Sequence, residues 1–182
     1  MDVVQQESFY TYEDWLKLDE NIRAELVDGK IYMMAAPSRR HQSALSALHG
    51  QFWTFLRNKP CRVYPAPFSV RLNKDENTVF EPDIVVVCDH SKLNDRGCEG
   101  APDLIVEVLS PSTSGYDKYT KFYAYLRAGV REYWIVDPED RTLTVHLLQD
   151  GVYVTDVYII GGNIEVKTLP GCEINLEEVF QD

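Results

Sequence analysis

The chain is 182 residues long and 45% hydrophobic, enough for one domain, 1–182, with its own core. Its 29 acidic and 18 basic residues give a formal net charge of -11. That balance excludes broad, sequence-independent adhesion to nucleic acid and leaves room only for a small local basic groove. Cysteines stand at positions 61, 88, 98 and 172, with no CxxC pair and no zinc pattern with the histidines, so free thiols in a reducing cytosol are expected. The first ten residues, MDVVQQESFY, lack a basic start and an apolar core. No apolar run approaches the roughly 20 residues that span a bilayer. A soluble, cytoplasmic protein is the expectation.

In chain order, Thr11 caps a short helix, with Asp14 reaching back to the cap. Arg23 to Val27 and Lys30 to Met34 read as strands joined by Asp28-Gly29, a tight-hairpin signal. Ser38 caps a long helix whose stripe is Leu45, Leu48, Phe52, Phe55 and Leu56, ended by Asn58, Lys59 and Pro60. Strands are expected over 62–64, 68–72 and 79–88, and 89–102 reads as a polar connection. The run Leu104, Ile105, Val106, then Val108 and Leu109, broken only by Glu107, has the look of a strand covered on both faces.

Ser112, Thr113 or Ser114 can cap the next helix, which carries Lys118, Lys121 and the apolar set Tyr119, Phe122, Tyr123 and Leu126, and ends at Ala128-Gly129. Strands follow at 132–136, 142–148, 152–160 and 163–168, with a last helical turn over 176–180. The order predicts an α/β fold: a mixed sheet flanked by helices, with additional β-hairpins that extend it or form a small lid.

Four residues can carry chemistry. Asp83 opens a valine run in FEPDIVVV, and Glu107 follows 24 residues later on what reads as a neighbouring strand. Two such carboxylates suit Mg²⁺ or Mn²⁺, which prefer hard oxygen ligands. The competing reading makes Asp83 a strand cap and Glu107 half of a structural ion pair. Glu25, between Ala24 and Leu26, is a third ligand or a water-orienting base, or else an exposed strand residue. Lys121 would offset a phosphate's charge, or be a solvated helix lysine. His41 and Gln42 stand at the start of the long helix, where a phosphate can be met or a plain surface role filled. Removing either central carboxylate is expected to keep or raise stability by relieving repulsion.

The segments AELVDGKIYMMAAPSRRHQ, EPDIVVV, GAPDLIVEVLSPST and DKYTKFYAYLRAGVREYWIVDP, with EVF near the end, span about Tyr10 to Phe180. In that order they resemble the Uma-two family of restriction-endonuclease-like proteins, within the PD-(D/E)XK nuclease superfamily. The resemblance implies the restriction-endonuclease-like fold and Mg²⁺-dependent cleavage of DNA. It implies a site of Asp83 and Glu107, with Glu25 at the family's early acidic position. The superfamily pattern wants a lysine two residues after Glu107, where this chain has Leu109. The family pattern shifts that lysine to the next helix, at Lys121 rather than Lys118. A homodimer joined through strand edges would suit cutting of both DNA strands. The alternative is a nuclease fold kept for binding or regulation without turnover.

Overall fold

A computed structural model describes residues 9–19, 21–73, 77–110 and 117–181, with side chains except at 117 and 118. The expected caps at Ser112, Thr113 and Ser114 lie outside the described residues, as does the side chain of Lys118. Among those described, no helix is long and apolar enough to cross a membrane.

A six-stranded mixed sheet organises the chain. Its members are β3 (Arg62–Pro65), β5 (Ile84–Val87), β8 (Leu104–Val108), β9 (Glu132–Asp137), β10 (Thr142–Gln149) and β11 (Val152–Ile159). Their spatial order is β11-β10-β9-β8-β5-β3. Only β8 and β9 run parallel, and the connection between them carries α3 (Phe122–Ala128). β5 and β8 are buried along their whole length, which accounts for their unbroken apolar runs.

One face of the sheet is covered by α2 (Arg39–Leu56). Ser38 caps it by accepting from His41 N at 3.2 Å, and Ala44, Leu48, Phe52 and Leu56 form its inward stripe. That stripe packs on Val86, Val106, Trp134 and Leu143 together with the C-terminal segment. The opposite face holds Val85, Val87, Ile105, Tyr133 and Leu109 under Ala124 and Tyr125 of α3. The two-residue turn Asp28-Gly29 joins β1 (Ala24–Val27) to β2 (Lys30–Met33), both turn residues having positive φ, as does the pair Asp150-Gly151 between β10 and β11. The later hairpin extends the sheet, one of its two expected placements.

Four expectations are corrected. The segment 79–88 does not form one strand: Val79 and Phe80 make only isolated bridges, and β5 starts after Glu81-Pro82 and Asp83. The polar connection 89–102 contains β6 (Leu93–Asn94) and β7 (Gly97–Glu99), which join β4 (Ser69–Arg71) in a small sheet. Cys61 and Cys88 form a disulfide, while Cys98 and Cys172 are free and buried. The β3–β5 register that pairs Arg62 with Val87 brings those two cysteines level, with Cα atoms 3.9 Å apart. On α3, Tyr119 and Tyr123 are exposed and Tyr125 is the buried aromatic. A π-type turn over Asp117–Lys121 precedes the α-helix and shifts the phase that a 3.6-residue period assumes.

Two buried polar residues tie the periphery to the sheet. Glu132 accepts from Trp134 Nε1 at 2.8 Å, Thr168 N at 2.7 Å, Thr168 Oγ1 at 2.9 Å and Lys167 N at 3.3 Å, which fastens the segment before β13 (Glu173–Asn175). His146 lies among the rings of Phe122, Tyr133 and Tyr153, with Nδ1 at 2.8 Å from Thr155 Oγ1. Burial pushes its imidazole from the ordinary 6.5 down to about 4. The unfolded chain therefore binds a proton that the folded chain refuses between those values. The stability linked to His146 is complete above about pH 6.5 and is lost as pH falls toward about 4. His146→Gln should lose less unfolding free energy than the natural protein between those pH values in denaturant titrations. Parallel pH profiles for the two proteins would refute the linkage.

Candidate active site

The alternation along β8 puts Val106 and Val108 against α2 and leaves Glu107 on the α3 side, beside Ile105 and Leu109. Glu25 enters from β1, and both carboxylates are buried. Lys121, buried as well, lies between them: its Nζ is 2.9 Å from Glu107 Oε1 and 3.0 Å from Glu25 Oε1. Lys121 closes the π-type turn just before α3, a backbone irregularity common at functional positions. Leu109 is buried in the apolar cluster on the same side of the sheet.

Each member of this group is held by further bonds. Tyr125, one turn beyond Lys121, donates to Glu107 Oε1 at 2.7 Å. Its burial, and then the charge of Glu107, push the phenol well above 10, so it remains a donor. Glu25 Oε1 accepts from Glu81 N–H at 3.0 Å, and the Glu81 side chain takes Arg23 Nε and Nη2, each at 3.1 Å. The ring of Phe80 lies 5.8 Å from Lys121 Nζ and edge-on to Tyr125. Glu107 thus receives an ammonium and a phenol on one oxygen. Neutralising it would leave Lys121 with less compensation, so the expected relief of carboxylate repulsion does not apply here.

Asp83 lies just ahead of β5. The register that pairs Ile84 with Val106 brings it level with Glu107, and its Oδ2 accepts from Val108 N–H at 2.8 Å. The same oxygen is 3.2 Å from Nε2 of His41, a buried residue in the first turn of α2. The structure therefore brings Glu25, Glu107 and Lys121 into direct contact and places Asp83 on the backbone next to Glu107. Among the described residues, no three of His, Cys, Asp and Glu are grouped closely enough to form a metal cage.

Tyr125 escaped the sequence reading, and His41, noted there only for a phosphate or a surface role, was not linked to Asp83. Tyr125 carries a signal in its spacing, i+4 from Lys121 on the same helix face. The bond from His41 to Asp83 crosses from helix to strand and has no local signature.

A model of the Uma2 family, described as putative restriction endonuclease, matches residues 9–177. An uncharacterised protein of Synechocystis sp. is 28% identical over 161 residues, covering 86% of this chain and 84% of its own length. A second from that organism is 26% identical over 142 residues, covering 75% and 80%. The crystal structure of a putative nuclease from Anabaena variabilis is similar at a TM-score of 0.77 and 21% identity, over 93% of this chain and 97% of that one. The structural likeness establishes a restriction-endonuclease-like fold, a mixed sheet flanked by helices. The family match spans almost all the described residues, and the chain belongs to the Uma2 family of putative restriction endonucleases.

Proposed function

We propose that this chain is an endonuclease that hydrolyses DNA phosphodiester bonds at Asp83, Glu107, Glu25 and Lys121. The observation that carries the reading is one ammonium held within hydrogen-bond distance of two buried strand carboxylates, with a third, Asp83, bonded to the backbone next to one of them. An all-oxygen donor set fits Mg²⁺ or Mn²⁺ by chemical type. Asp83 and Glu107, with Glu25 as a further donor, would hold the ion, which would supply charge stabilisation at the phosphate and a more acidic water.

The residues themselves do the following. Tyr125 and Lys121 fix one oxygen of Glu107. Val108 N–H and His41 fix one oxygen of Asp83. Lys121 supplies the cation that Leu109 cannot, orienting water and offsetting the developing phosphate charge. Water oxygen loses a proton as it bonds to phosphorus, the bond to the leaving deoxyribose oxygen breaks, and that oxygen takes up a proton. The chain itself forms no covalent intermediate.

A second reading is a nuclease fold used for binding or regulation without turnover. It is favoured by the closed Glu25–Lys121–Glu107 triad and the net charge of -11. Incubation of plasmid DNA with Mg²⁺ or Mn²⁺ separates the two. Cleavage is expected, falling about 100-fold or more in Asp83→Asn, Glu107→Gln and Lys121→Met. Lys121→Met should also lower folding stability by about 3 kcal/mol, because two buried carboxylates lose their shared cation. Intact plasmid under every metal condition would leave only the binding role. Undiminished cleavage by Lys121→Met would remove the lysine from the chemistry.

A duplex cut in both strands calls for two sites, and a second copy fits the free edge of β11. Val152 and Val154 are exposed on one face of that edge, Val157 and Ile159 on the other, and Asp156 is its only charge. Edges exposed to solvent are usually blocked by lysine, proline or a bulge, and β11 contains neither lysine nor proline. Two copies paired antiparallel about a two-fold axis would continue the sheet. Light scattering should give twice the 20.9 kDa chain mass, and Val157→Lys should give the monomer. A monomeric natural protein at high concentration would exclude this interface.

A further inference from the structure

Among the described residues of the site region, His41 has a buried side-chain nitrogen without a hydrogen-bond partner. Its Nε2 meets Asp83 Oδ2 at 3.2 Å, while its Nδ1 is buried without a hydrogen-bond partner. With Nε2 donating to a carboxylate, Nδ1 of a neutral ring is left as an orphaned acceptor, which disfavours the folded state. A leucine here would extend the apolar stripe of Ala44, Leu48, Phe52 and Leu56 without that cost. What the histidine contributes must therefore lie on its other nitrogen.

We infer that His41 is a positioning residue, which holds Asp83 so that its second carboxylate oxygen is presented to the cation. The geometry supports this in three ways. Among the described residues, both bonds to the Asp83 carboxylate fall on Oδ2, one from His41 and one from Val108 N–H, leaving Oδ1 for a ligand. Val108 is the neighbour of Glu107, so the same bond ties the orientation of Asp83 to the strand bearing the second carboxylate. His41 N–H is itself engaged by the Ser38 cap, and the helix behind it is locked into the core by its stripe. Rigid elements on both sides then set the carboxylate's direction, as outer partners of metal ligands commonly do.

The metal part of this inference rests on the proposed nuclease reading, whereas the hold on Asp83 does not. Both are tested with His41→Leu, which removes the donor, and His41→Gln, whose amide can replace it. Manganese binding, read by electron paramagnetic resonance of free Mn²⁺, should weaken about 10-fold or more in His41→Leu and stay within about threefold of the natural protein in His41→Gln. The melting temperature of His41→Leu should hold or rise, since an orphaned polar atom is removed. The Val108 amide resonance, recorded without metal, should shift in His41→Leu and stay near its natural position in His41→Gln.

A His41→Leu protein with natural manganese affinity and an unmoved Val108 amide overturns the inference. Equal losses in both variants overturn it as well, and assign the effect to ring packing. If the natural protein binds no manganese, the metal reading falls, and the Val108 amide alone decides whether His41 holds Asp83.

Discussion

Two ionised carboxylates are costly to bury side by side unless a cation is buried with them, and the Glu25–Lys121–Glu107 contact meets that demand. Each partner arrives from a different part of the chain: Glu25 from the first hairpin, Glu107 from the sheet centre, Lys121 from the turn before α3. The contact therefore docks the hairpin and the helix onto one face of the sheet. Apolar burial alone would set those elements down loosely, because Val27, Leu109 and Ala124 make non-directional contacts. The ion triad adds direction, since an ammonium between two oxygens at about 3 Å has little freedom to slide.

Much of this was legible in the sequence because the signals are local. The Ser38 cap, the two Asp-Gly turns and the Gly129 stop each depend on a few consecutive residues, and the structure has all of them. Lone charges inside apolar runs, Glu25 and Glu107, also proved to be buried. What failed was what depends on distant partners. The Cys61–Cys88 bond exists because β3 and β5 are level at that point, which no spacing rule for cysteines contains. Segment 93–99 forms strands only because Ser69–Arg71 is there to pair with β7. The valine-rich segment 79–88 breaks because Glu81 turns aside to bond Glu25 and Arg23, and Pro82 follows it.

The acidic composition extends to the candidate site, where one lysine meets two carboxylates. The lysine is buried rather than exposed, so its contacts with Glu25 and Glu107 are little screened by salt, and one cation against two carboxylates leaves no excess positive charge there. A net charge of -11 disfavours non-specific attraction to nucleic acid. Under the proposed function, selectivity would therefore come from fit at the site rather than from adhesion.

If Lys121 takes the role of the superfamily's strand lysine, as proposed, a structural consequence follows. A lysine in the strand would share the rigidity of β8, whereas Lys121 is only as well placed as α3. That helix is held by Tyr125 against Glu107, Phe80 and Tyr133, and by Phe122 against His146 and Tyr153. Tyr153 belongs to β11 and also donates to Val130 O at 2.9 Å, just past the end of α3. The hairpin of β10 and β11 thus supports the helix that presents the ammonium, although it contributes no residue to the site. Leu109, relieved of any polar duty, fills the core beneath that helix. The placement of Lys121 is therefore tied to the packing of the far edge of the sheet.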